Sequence, residues 1–118
     1  YAAPQAMFAI NSAGHAGGGN YPMTATTTRA FWEITRTGPA TTAFYTNGLL
    51  SEAGITASAP VGNRSVLISA AMAYGGISGY GKDQIAEAFI GGGLTATQAA
   101  NWSSCHNAYM TSLGVNVY

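Results

Sequence analysis

Besides hydroxyls, phenols and a single lysine, seven side chains in this 118-residue sequence can move a proton, attack a bond or hold a metal: Glu33, Glu52, Asp83, Glu87, His15, His106 and Cys105. Glycoside hydrolysis needs two carboxyls facing one another at about 5 to 9 Å, one protonating the leaving oxygen while the other acts as nucleophile or base. Glu33 falls on a strand candidate, on the face opposite Trp32. Asp83 and Glu87 stand four apart and share a face if their segment is a strand. Solvation is the ordinary state of such carboxylates, and the sequence supports that reading for the pair. His15 and His106 are too far apart in sequence for a helical zinc pair, and no third ligand is suggested. Cys105 is the single cysteine, so it forms no internal disulfide. Its neighbour His106 does not activate it, because consecutive helix residues point about 100° apart. Cys105 is therefore expected to pack as a small buried hydrophobe. No Gly-x-Ser-x-Gly elbow is present, and no catalytic residue is assigned.

Binding demands less of a sequence than catalysis. Sugars are held by aromatic faces against their C–H patches and by amide and backbone hydrogen bonds. Asn20, Tyr21, Tyr74 and Tyr80 fall on expected loops and are the ligand-binding candidates. Trp32, Phe44 and Phe89 are assigned to the core, where aromatic side chains bury most area. The Gly-rich stretch 11–21 invites comparison with a phosphate cradle. No Lys-Ser/Thr follows it, so it reads as a plain loop.

The elements that position these groups are legible mainly between Phe31 and Gly54, FWEITRTGPATTAFYTNGLLSEAG. Side chains alternate from Phe31 to Arg36, with Trp32 and Ile34 on one face and Phe31, Glu33 and Thr35 on the other. Thr37-Gly38-Pro39 breaks that run. Thr42 to Thr46 forms a second strand. Asn47-Gly48 then accepts the two positive φ values of a type I′ turn, and Leu49 and Leu50 begin the return strand. Ala6 to Ile10 and the Thr-rich 24–28 read as further extended segments. Arg64 to Ala70 is an expected strand, Gly75 to Gly81 a loop and Asp83 to Ile90 a late strand. The chain then enters a helix with Thr95 as N-cap, Gln98 completing a capping box, and Gly114 at the C′ position. Ala99, Trp102, His106, Tyr109, Met110 and Leu113 lie near one stripe. Trp102 and Leu113 are expected to pack on the sheet, with Ser103, Ser104 and Asn107 facing water.

Composition narrows the classes. Only 7% of residues are charged, while 47% are hydrophobic. Ordinary soluble domains carry about 25% charged residues. Disordered chains combine few apolar residues with much charge, so disorder is not expected here. The four cationic side chains, Arg29, Arg36, Arg64 and Lys82, make no basic stripe, which argues against nucleic acid and against a polybasic membrane contact. No apolar run approaches the roughly 20 residues of a spanning helix, so membrane insertion is not expected.

The ordered series of aromatic strand, turn, strand ending in Tyr45-Thr46-Asn47-Gly48 and short return strand resembles the concanavalin-like and laminin-G-like jelly-roll domains. The likeness continues into Gly93-Leu94-Thr95-Ala96-Thr97-Gln98 and the terminal helix, and covers residues 29 to 113. It implies a mainly β fold, an antiparallel β-sandwich of jelly-roll type with one C-terminal α-helix. Full members of the family are longer, and the strands that come first in them are missing here. Residues 1–118 are therefore read as a single β-sandwich module, or as the C-terminal part of a larger domain whose first half lies upstream or is supplied by another chain. The Glu-x-Asp-x-x-Glu strand motif of the related glucanases is absent. The resemblance implies a carbohydrate-binding or cell-surface-binding module of a phage tail fibre or extracellular adhesin, in an extracellular or virion setting, without catalysis. A structural assembly subunit of a virion or filament, making homo-oligomers or larger assemblies without binding sugar, is the second expectation. A fragment of a glycoside hydrolase is the third. No cofactor is expected; calcium, which takes about six to eight oxygens, is implied only weakly, in the laminin-G manner, at Asp83 with loop carbonyls.

Overall fold

The computed structural model describes residues 5–6, 23–24, 29–54, 57–60, 67–68, 71–73, 76–78, 80, 82 and 85–115. Their elements are β1 (Gln5–Ala6), β2 (Met23–Thr24), β3 (Trp32–Gly38), β4 (Thr41–Thr46), β5 (Leu49–Gly54), β6 (Ala71–Ala73), β7 (Gly76–Ser78) and α1 (Ala96–Ser112). The chain divides into two compact units, one formed by Tyr1–Pro60 with Gly92–Tyr118 and the other by Val61–Gly91. The fold is mainly β with a C-terminal helix, and its largest sheet is the antiparallel meander β3-β4-β5.

Turn chemistry fixes that meander. Asn47 and Gly48 both have positive φ, 53 and 76 degrees respectively. Paired left-handed values of this kind define a two-residue type I′ connection. Asn47 does more than turn the chain: its Oδ1 accepts from Phe31 N–H at 2.8 Å, and its own N–H donates to Phe31 O at 2.8 Å. The turn thereby also anchors the entry to β3. At the other hairpin the register slips by one residue between Arg36 and Gly38, leaving Thr37 as a bulge. Arg36 Nη1 closes over this turn by donating to Pro39 O at 3.1 Å.

Cross-strand partners share a face, so the register sorts the side chains. Glu33 faces Tyr45 and Thr35 faces Ala43 on one side; Trp32 faces Thr46 and Ile34 faces Phe44 on the other. Phe31, Glu33, Thr35 and Tyr45 are all buried, and this is the side that carries α1. The expected alternation holds, but Trp32 is not a core residue as expected: it is partly exposed and meets the buried Phe44 edge-on at 6.5 Å.

Both ends of α1 follow the sequence. Thr95 caps with its side chain accepting from Gln98 N–H, while Gln98 Oε1 accepts from Thr95 N–H at 2.9 Å. Gly114 has a positive φ. Its N–H donates to Thr111 O at 2.9 Å, and Val115 N–H donates to Met110 O at 3.0 Å. Together these bonds make a Schellman closure. The rotation of the helix differs from expectation. Ala99, Ser103 and Met110 are buried, His106 and Asn107 are half-buried, and Trp102, Cys105, Tyr109 and Leu113 are exposed. Close approach explains this: a Cβ on Gly48 would lie 2.9 Å from Ser103 Cβ and 3.1 Å from Ala100 Cα. Only small side chains fit against the turn, so Ser103 turns inward, and Trp102, Leu113 and Cys105 turn out.

The second unit contains the β6–β7 hairpin, with Met72 opposite Ile77. Residues 76–78 are therefore a strand inside the stretch expected to be a loop. Of the expected strand Arg64 to Ala70, Leu67 and Ile68 are described and neither is in a strand. Nor do residues 85–90 form the expected late strand; they are irregular and exposed, Phe89 among them. Ala86, Glu87 and Ala88 are weak strand formers and interrupt any apolar alternation between Ile85 and Ile90. The expectations for Ala6 to Ile10 and for 24–28 fall mostly outside the described residues.

Candidate functional site

The layer between β3 and α1 holds most of the polar side chains that a chemical reading would use. Thr35 reaches the chain just before the helix: its Oγ1 accepts from Leu94 N–H at 2.6 Å and donates to Leu94 O at 3.1 Å. One hydroxyl thus replaces a strand partner for both backbone groups of Leu94. Next to it Gly93 lies so near Arg36 O that a Cβ has no room there, which explains the glycine at this crossing. At the far end of the layer, the Phe31 ring stacks on His106 with centroids 4.7 Å apart. Thr35 lies toward the start of the helix and Phe31 against its middle, so β3 and α1 run in opposite directions.

Glu33 sits between those two anchors, 4% exposed, and neither carboxylate oxygen has a hydrogen-bond partner. Burial raises its pKa above the ordinary 4.5, because the charged form has lost its water without gaining a partner. Asn107 Oδ1 is likewise buried and without a partner. Such a carboxyl is suited to holding a proton; by itself it carries no hydrolytic chemistry. Its nearest potential partner in the same sheet is Glu52. Glu52 pairs with Phe44, whereas Glu33 pairs with Tyr45, and consecutive strand residues point to opposite faces. Glu33 and Glu52 therefore lie on opposite sides of the sheet and do not flank a common substrate bond.

Of the four residues expected to bind ligand, Tyr80 is described and is 72% exposed. Asn20, Tyr21 and Tyr74 lie outside the described residues, as does the calcium candidate Asp83. Among the described residues no three His, Cys, Asp or Glu side chains gather where they could hold a metal. Among them, too, no helix is long and apolar enough to cross a membrane.

Sequence reasoning overlooked a different feature, an apolar surface in the first unit. Trp102, Tyr109 and Leu113 on α1 are 45%, 59% and 57% exposed, and Leu49 and Leu50 on β5 are exposed as well. The signal was present in the sequence: no Asp, Glu, Lys or Arg occurs from Ala88 to Tyr118. Compared with known proteins, the chain matches no family model, no curated protein and no solved structure.

Proposed function

We propose that this chain is a structural assembly module of a virion or an extracellular appendage, whose partners are protein subunits. One observation carries the reading: large apolar side chains, among them Trp102, Tyr109, Leu113, Leu49 and Leu50, stand exposed on a unit with almost no charge around them. Water-facing surfaces normally scatter such residues among charged ones, and contiguous apolar area rimmed by polar groups marks an interaction surface. The hydroxyls and amides of α1 supply that rim without introducing charge.

The finer architecture belongs to the same proposal. The meander suits one layer of a concanavalin-like β-sandwich, because both of its faces carry apolar side chains: Phe31 and Tyr45 beneath α1, Ile34 and Phe44 on the reverse. A sheet with two apolar faces needs a cover on each. Tyr80 favours a second reading, glycan recognition, since an exposed phenol offers a stacking face.

A glycan array combined with sedimentation of the purified chain separates the two. Assembly predicts a discrete oligomer that binds no sugar on the array. A monomer at every concentration that binds a glycan, and loses it in Tyr80→Ala, overturns the assembly reading and establishes the other.

A further inference from the structure

The exposed stripe of α1 has the pattern of a helix that meets its own copy. Trp102, Tyr109 and Leu113 are spaced seven and four residues apart, which keeps them on one side of the helix over about 17 Å. Cys105, also exposed, falls on the margin of the same side. The stripe lies beside the buried face of Ala99, Ser103 and Met110 and continues it outward, so the apolar surface of the helix is wider than the sheet it covers.

Charge identifies the occupant. In a two-fold pair every residue near the axis faces its own counterpart, so any ionised side chain there meets a like charge. The whole of α1 carries no Asp, Glu, Lys or Arg, and its imidazole, His106, is turned onto the Phe31 ring. A charged partner finds no counter-ion on this surface. A second copy meets no repulsion.

From this we infer that α1 is the dimerisation helix of the chain, packing antiparallel on α1 of a second copy. Trp102 of one copy then meets Tyr109 of the other, and the axis passes close to Cys105. The inference rests on the assembly reading and names its first partner. It also excludes the β5 edge as the primary contact. That strand is blunted by a bulge at Ser51 and by Glu52, which would face a like charge in a self-pairing edge.

The test uses the full chain, with light scattering across a concentration series and a short bismaleimide that joins thiols at Cys105. The wild type is expected to show dimer mass and to cross-link through its single cysteine. The double variant Trp102→Ser, Tyr109→Ser, with an unchanged circular dichroism spectrum, is expected to weaken the dimer at least about a hundredfold and to lose the cross-link. A variant that keeps the wild-type oligomer mass overturns this inference and leaves assembly to another surface. A wild type that stays monomeric throughout overturns both. Should the double variant misfold, Cys105 cross-linking of the wild type still decides: an oligomer that fails to cross-link at Cys105 rules out α1 pairing.

Discussion

Glu33 is the residue whose surroundings depart furthest from what its chemistry prefers. The strand alternation puts it on the same side as Phe31 and Thr35, and that side takes the helix. In the unfolded chain its carboxyl ionises around the ordinary 4.5, whereas in the folded chain burial holds the proton to higher pH. Below pH 4.5 both states are protonated and the residue costs nothing. As pH rises past that value the unfolded chain releases its proton while the folded chain keeps it, so stability falls. The fall stops once pH exceeds the raised folded value. Glu33→Gln removes this titration, and its stability relative to wild type is expected to grow steadily from pH 4 toward neutrality. Urea titrations of both proteins at several pH values check it; every other titrating group is common to the two and cancels in the difference. Curves that run parallel across that range would show that the carboxyl is not buried as described.

Among the elements, those governed by near neighbours in sequence were readable and those governed by distant ones were not. Asn47-Gly48, Thr95 with Gln98, and Gly114 each satisfy backbone groups within a few residues, and each stands where its residue type implies. The rotation of α1 depends on Gly48, some fifty residues earlier, and the apolar spacing of Trp102 and Leu113 therefore pointed to the wrong face. The strand at 76–78 was hidden by its glycines, which carry no side-chain period. The candidate site was less legible still. Alternation showed that Glu33 shares a face with Phe31, but not that this face would be the covered one. The turn-to-helix contact is open to a direct test. Gly48→Ala adds a Cβ at a positive φ and drives it against Ser103 and Ala100, where only glycine is free of strain. A loss of about 2 kcal/mol or more is expected in chemical denaturation, from backbone strain and the clash together. A loss of a few tenths would mean that α1 does not lie against the turn.

At the scale of the whole molecule, the same sparse charge has two opposed consequences. It leaves little electrostatic repulsion between copies, and it leaves the outer side of α1 apolar where a solitary helix would be expected to carry ionised groups. A monomer with this surface would be exposed to non-specific association, whereas a defined oligomer buries the surface in one arrangement. The distinction appears in the melting temperature. If native chains pair and unfolded chains do not, mass action makes unfolding harder as concentration rises. Each tenfold increase adds about 1.4 kcal/mol per dimer, which for two chains of this length corresponds to a shift of about 3 °C. Calorimetry over two decades of protein concentration is expected to show that steady rise, with reversible traces. A melting temperature independent of concentration would be incompatible with an assembly module that dissociates on unfolding. A rise accompanied by irreversible precipitation would point to sticky collapse in place of a defined contact.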